Sequence, residues 1–216
     1  MNKLLIPFIL MSLNITAQTP ARKAGMGLMG KAVSNGIAVD SIIPGGTFAA
    51  LKLQKGDILT ELNGHKVLSM EAYGKIAGNI RSADKISAAF IRDQKNMHAS
   101  AVAVMKPYEK SELADIQYDW VKFRQGFIRA ITRKPVNQTG MPCILLIPGY
   151  GCGSIENYAS SYNGKLINEW LKSGYAVVTI EKSGMGDSYD CLPCSEADLA
   201  TDIESFDAGY EYMEQL

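Results

Sequence analysis

Neither sign of charge is in excess in this chain: 22 basic residues face 22 acidic ones, and no Lys/Arg-rich run breaks the balance. Without such a footprint, nucleic-acid binding is excluded as its main role. Histidine is scarce. There are two residues, His65 and His98, and none follows, so the latter half of the chain carries no imidazole base. Both read as solvated surface residues rather than ligands. No apolar run reaches the roughly 18 to 20 residues that a membrane helix needs, and there is no internal repeat or low-complexity tract. Cys191 and Cys194 have the spacing of half a zinc site, but no second ligand pair accompanies them. No metal and no cofactor is called for.

What remains is ordinary globular material, 47% apolar and 20% charged over 216 residues, enough for two modest domains. The first residues stand apart. Lys3 supplies a positive start, Leu4 to Leu13 is nearly all apolar, and Ala17 is a small residue suited to cleavage. Residues 1-17 therefore read as an export signal. Export places the cysteines where disulfides persist.

Beyond the signal, residues 19-106 are rich in Gly and short β-like runs. Ser34-Asn35-Gly36 is a turn, and Ile37 to Ile42 suits a strand. Pro44-Gly45-Gly46-Thr47 breaks the chain and opens one or two turns of helix, and Asn63-Gly64 is a hairpin turn. A helix is expected over Ser69 to Ala77, then a hairpin of Lys85 to Arg92 and Ala99 to Val104. Residues 107-115 turn charged and read as a linker. From Ile116 onward the pattern changes: strands at Gly126 to Thr132, Pro142 to Ile147 and Tyr175 to Ile180 alternate with helices at Lys165 to Lys172 and Glu196 to Leu216. Such alternation implies crossovers and a parallel sheet.

In the first unit, Gly25-Met26-Gly27-Leu28, Pro44-Gly45-Gly46-Thr47, and above all Leu53-Gln54-Lys55-Gly56-Asp57-Ile58-Leu59 with Leu62-Asn63-Gly64 resemble a PDZ domain of the exported bacterial protease type. The resemblance implies an α+β fold in which a peptide adds as a strand and its terminal carboxylate is caught by backbone N-H groups. Met26, Gly27 and Leu28 would be that loop, with the helix near Ser69 to Ala77 as the facing wall. A structural spacer without a ligand is the bland alternative.

In the second unit, Ile147-Pro148-Gly149-Tyr150-Gly151-Cys152-Gly153-Ser154 after a buried strand, and Glu181-Lys182-Ser183-Gly184-Met185-Gly186-Asp187-Ser188 after the next, resemble the front part of an α/β-hydrolase domain. That implies a mostly parallel sheet with flanking helices over residues 116-216, truncated before its nucleophile. Tyr150, with Gly149 and Gly151, would supply an oxyanion-hole N-H. Pro148 stands where that family commonly has His. Ser188 is a poor nucleophile, because Asp190 is too large for an elbow and no helix follows at once. The expected elbow lies past Leu216, so no catalytic residue is assigned and the chain alone is expected to be inactive. The resemblance implies a serine hydrolase of ester or peptide-like acyl bonds as parent, with a small-molecule acyl substrate. The alternative is a non-catalytic peptide-binding module. The same resemblance favours a Cys152 to Cys194 disulfide, with Cys191 to Cys194 and no disulfide left open.

Overall fold

The computed structural model describes residues 20–156 and 161–216; the segment read as an export signal lies outside them. The first sheet is antiparallel throughout. Its strands are β1 (Leu28–Val33), β2 (Gly36–Ile42), β3 (Ile58–Leu62), β4 (His65–Lys66), β5 (Lys85–Arg92) and β6 (Lys95–Val102), in the order β1-β2-β3-β5-β6 with β4 on β3. Two helices accompany it, α1 (Thr47–Ala50) and α2 (Met70–Ala77). Local chemistry sets the turns. Asn63 and Gly64 both take positive φ (50° and 76°), as the two-residue turn between β3 and β4 requires. Asp93 and Gln94 do the same between β5 and β6. Ser69 caps α2 by accepting from the Ala72 N-H at 3.1 Å.

The Gly56-Asp57 pair also has a physical reason. Gly56 sits at φ 93°, and the buried Asp57 carboxylate takes a two-pronged Arg92 guanidinium (2.8 Å on each oxygen) plus the Gln54 N-H at 2.9 Å. This locks the corner ahead of β3. Phe48, Leu51, Leu59, Leu62 and Val67 are buried inside it.

The second sheet contains β7 (Ala114–Phe123), β8 (Gly126–Pro135), β9 (Cys143–Leu146) and β10 (Ala176–Ile180), in the order β7-β8-β10-β9. α3 (Tyr162–Lys172) connects β9 to β10, and α4 (Leu199–Met213) follows β10. Val177 packs with Ile167 and Leu171 of α3, whereas Ile180 packs with Phe206 and Ala208 of α4. Residues three apart on a strand point to opposite faces, so the two helices cover opposite sides of the sheet. Among the described residues no helix is long and apolar enough to cross a membrane.

Several expectations are corrected here. The sheet is not mostly parallel: β7-β8 and β8-β10 are antiparallel, and β9-β10 is the parallel pairing. The cause is a long hairpin, ten residues a side, whose first strand carried no recognised signal. Its tight turn places Arg124 at φ 51°, without the Asn-Gly or Asp-Gly that marks such turns. β7 begins at Ala114, inside the stretch read as linker 107-115. The last helix begins at Leu199 after a short 3₁₀ turn at Cys194–Glu196, capped by Asp198 accepting from the Thr201 N-H at 2.8 Å.

Candidate functional site

β1 ends the first sheet on one side and pairs with β2 alone. Its free edge is where a further strand can hydrogen-bond. In the loop leading into it the Gly25 N-H donates to the Val104 carbonyl at 2.8 Å, and the next two residues are held through carbonyls alone. The carbonyls of Gly25, Met26 and Gly27 accept from the N-H groups of Thr47 (2.8 Å), Phe48 (3.0 Å) and Ile43 (2.8 Å). The N-H groups of Met26 and Gly27 enter none of the hydrogen bonds between described residues. Peptide planes fixed through their carbonyls point their N-H groups the opposite way, a layout suited to an anion. Gly27 is at φ 72°, and a Cβ there would come within 3.2 Å of Gly46 Cα and 3.3 Å of the Ile43 carbonyl oxygen. Both conformation and space therefore demand glycine. Met26 and Leu28 share one apolar core with Tyr73, Ile76 and Ala77 of α2.

Just upstream, Arg22 is 3% exposed. Its Nε donates to the Lys106 carbonyl (2.6 Å), its Nη1 to Asp187 Oδ2 (2.6 Å), and its Nη2 to the Pro107 carbonyl (2.9 Å) and to Glu156. The guanidinium lies over the rings of Tyr108 and Tyr118 at 4.5 and 5.0 Å. Lys106 pairs with the other oxygen of Glu156. This cluster joins the first unit to the loop after β10.

Beside it, Glu181 is 1% exposed. Burial pushes its carboxyl up to about 7, despite hydrogen bonds from Ser154 Oγ (2.5 Å) and the Ile155 N-H (3.2 Å). Gly186 (φ 50°) passes so close that a Cβ there would fall on this carboxylate. Against an unfolded value near 4.5, the folded protein holds this proton more tightly. The associated stability is fully present below about pH 4.5 and is lost as pH rises through about 7, a change of about 3 kcal/mol. Glu181→Gln is expected to flatten the pH 5 to 8 slope of the denaturant midpoint. An unchanged slope in that variant would assign it to other groups.

Tyr150 is 97% exposed; its carbonyl accepts from Lys182 Nζ at 3.2 Å, and that ammonium also pairs with Asp202 at 2.8 Å. Gly149 and Gly151 flank it on the surface. Cys152 is disulfide-bonded to Cys194, while Cys143 and Cys191 are free and half-buried. Ser188 is buried and its Oγ donates to the Lys182 carbonyl at 3.1 Å. His65 and His98 are exposed on β4 and β6. Sequence reasoning missed the part played by Arg22, Glu156 and Asp187; Asp187 lies in the Glu181 to Ser188 run, but nothing local links it to Arg22, 165 residues away.

The PDZ domain family matches residues 14–87. A probable periplasmic serine endoprotease, DegP-like, from Marinomonas sp. (strain MWYL1) is 37% identical over 60 residues, 28% of this chain and 13% of its own length. Among solved structures, the serine endoprotease from Yersinia pestis is similar at 19% identity and a TM-score of 0.34, over 39% of this chain and 29% of its own. The HtrA-type protease AlgW with a decapeptide is similar at 19% identity and a TM-score of 0.36, over 40% and 30%. The chain thus spans less than a third of the length of each. The curated relative is a probable serine endoprotease, and the α/β-hydrolase reading of the second unit, with its mostly parallel sheet, is overturned by the mainly antiparallel sheet observed, in which β7-β8 and β8-β10 run antiparallel. The small-molecule acyl substrate falls with that reading.

Proposed function

We propose that this chain is an exported peptide-recognition protein whose first unit takes up the C-terminus of a peptide or protein, in service of peptide-bond cleavage as in the serine endoproteases it is similar to. Its location is exported and periplasmic, in line with the periplasmic relative. The observation that carries the reading is the loop at Met26, Gly27 and Leu28, whose carbonyls are tied down and whose Met26 and Gly27 N-H groups are unengaged among the described residues, beside the free edge of β1. Backbone donors read a carboxylate, the edge reads an extended main chain, and the apolar surface near Tyr73 and Ile76 reads a side chain.

Gly27→Val is the sharpest probe, because it forces a β-branched residue to φ 72° and crowds Gly46. It is expected to weaken binding by about 10- to 100-fold, the cost of leaving a charged acceptor poorly paired, about 1 to 3 kcal/mol. The measurement is titration of a C-terminal peptide library against residues 18–216, with every hit retested as its amide. Hits indifferent to amidation and to Gly27→Val would remove the carboxylate site from this loop. Mass spectrometry of bound peptides after incubation separates cleavage from binding alone, which is the distinction between an enzyme and a non-catalytic module.

A further inference from the structure

Two segments bound the peptide groove, and both reach one loop of the second unit, at Asp187 and Ser188. The first is the loop at Gly25 to Leu28, preceded by Arg22 and Lys23. Arg22 Nη1 donates to Asp187 Oδ2 at 2.6 Å and the Lys23 N-H to Asp187 Oδ1 at 2.8 Å. The second is α2, whose exit runs through Ile80 into Arg81. Arg81 Nη1 donates to the backbone carbonyl of Asp187 at 3.2 Å and Nη2 to that of Ser188 at 2.8 Å, while its guanidinium covers the Tyr189 ring at 4.9 Å. Behind the groove the two segments are joined directly, through the Ala24 N-H to the Ile80 carbonyl (3.0 Å) and the Lys23-Arg81 bridge.

The loop holding Asp187 is itself anchored. Tyr189 exchanges two backbone hydrogen bonds of 2.8 Å with Phe127 of β8, and Gly184 and Gly186 take positive φ under close contact with Leu192 and Glu181. The Asp187 carboxylate therefore fixes one wall and the adjoining backbone fixes the other, from a support that belongs to neither.

From this arrangement we infer that Asp187 couples peptide occupancy to the second unit: the loop at 182–190 sets the spacing of the groove walls, and a peptide entering between them acts back on that loop. This rests on the peptide-binding reading and names the regulation of that same site. A support that pre-sets two walls reduces the ordering that binding must otherwise impose. By linkage, whatever it contributes to peptide affinity the peptide returns as a changed equilibrium in the loop. Asp187 and Arg81 act here as positioning residues, since neither reaches the Met26-Gly27 N-H groups.

The test uses residues 18–216 and a free-carboxylate peptide selected on that protein. Arg81→Met keeps the apolar stem and removes bonds to three backbone carbonyls, those of Ala21 (2.7 Å), Asp187 and Ser188; Asp187→Asn keeps an acceptor for Lys23 and removes the charge facing Arg22 and Arg129. Each is expected to weaken the peptide by about fivefold or more, and in the unmodified protein the peptide is expected to slow amide hydrogen exchange within residues 182–190. Far-ultraviolet circular dichroism checks that both variants fold, and Arg81→Met, which leaves the buried ion pairs intact, carries the test if Asp187→Asn does not. Unchanged affinity in Arg81→Met with unchanged exchange in the loop would overturn the coupling and leave peptide binding standing. Failure of the unmodified protein to bind any free-carboxylate peptide would overturn both.

Discussion

Removing the Cys152–Cys194 disulfide is expected to lower the stability of the second unit by about 4 kcal/mol. The bond closes a stretch with a sequence separation of 42, and the loop-closure entropy withheld from the unfolded chain at that length is about 4 kcal/mol. It ties the loop after β9 to the 3₁₀ turn that leads into α4, so it spans α3 and β10 and holds the ends of three elements together. The double variant Cys152→Ser, Cys194→Ser is preferable to either single one. A lone Cys194 has Cys191 three residues away and free, and a new pairing would obscure the loss. Urea unfolding of the unmodified and double-variant chains under oxidising conditions measures the difference. A loss under about 1 kcal/mol would mean that the unfolded chain is already compact near these residues.

Arg22→Ala is expected to cost about 3 to 5 kcal/mol, the range for breaking a buried ion pair by removing one partner. The large value comes from what is left behind. Asp187 would retain Arg129 at 3.4 Å and the Lys23 N-H at 2.8 Å, and Glu156 would retain Lys106. The carbonyls of Lys106 and Pro107 would lose their Arg22 donors, and the space under Tyr108 and Tyr118 would empty. Replacing Arg22 and Glu156 together, with Arg22→Met and Glu156→Gln, is expected to recover much of the loss, because the carboxylate left short of a partner is gone while Asp187 keeps the buried Arg129. Equilibrium unfolding followed through both units reads the two outcomes. If this double variant is as unstable as Arg22→Ala, the contribution of Arg22 lies in its hydrogen bonds to the Lys106 and Pro107 carbonyls and its guanidinium stacking on the two tyrosines rather than in the balance of charge.

The legible parts of this protein are those in which neighbouring residues supply both halves of an interaction. Asn63-Gly64 declares its turn because few residues tolerate positive φ, and Ser69 declares the start of α2 because its cap partner is three residues on. Gly56-Asp57 marks a corner for the same reason, and all three lie within residues 14–87, which the PDZ domain family matches. The loop at Met26 to Leu28 could be nominated from its glycines, but that its carbonyls are the tethered side became visible only with Ile43, Thr47 and Phe48 in place.

The second unit was legible in its helices and in β10, and misleading in its sheet. An apolar strand buried on both faces has the same composition whether its neighbours run parallel or antiparallel, and β8 beside β10 is antiparallel. Arg22 is the extreme case. It sits in a polar lead-in with nothing local to distinguish it, and its partners lie 84, 134 and 165 residues away at Lys106, Glu156 and Asp187. The choice among disulfide pairings was likewise open in the sequence, and the folded chain joins Cys152 to Cys194. Turns, caps and core strands are determined by short-range sterics and hydrogen bonds that the sequence itself encodes, whereas strand direction, the cysteine pair and the burial of Arg22 depend on which distant segments meet, and only the tertiary structure decides that.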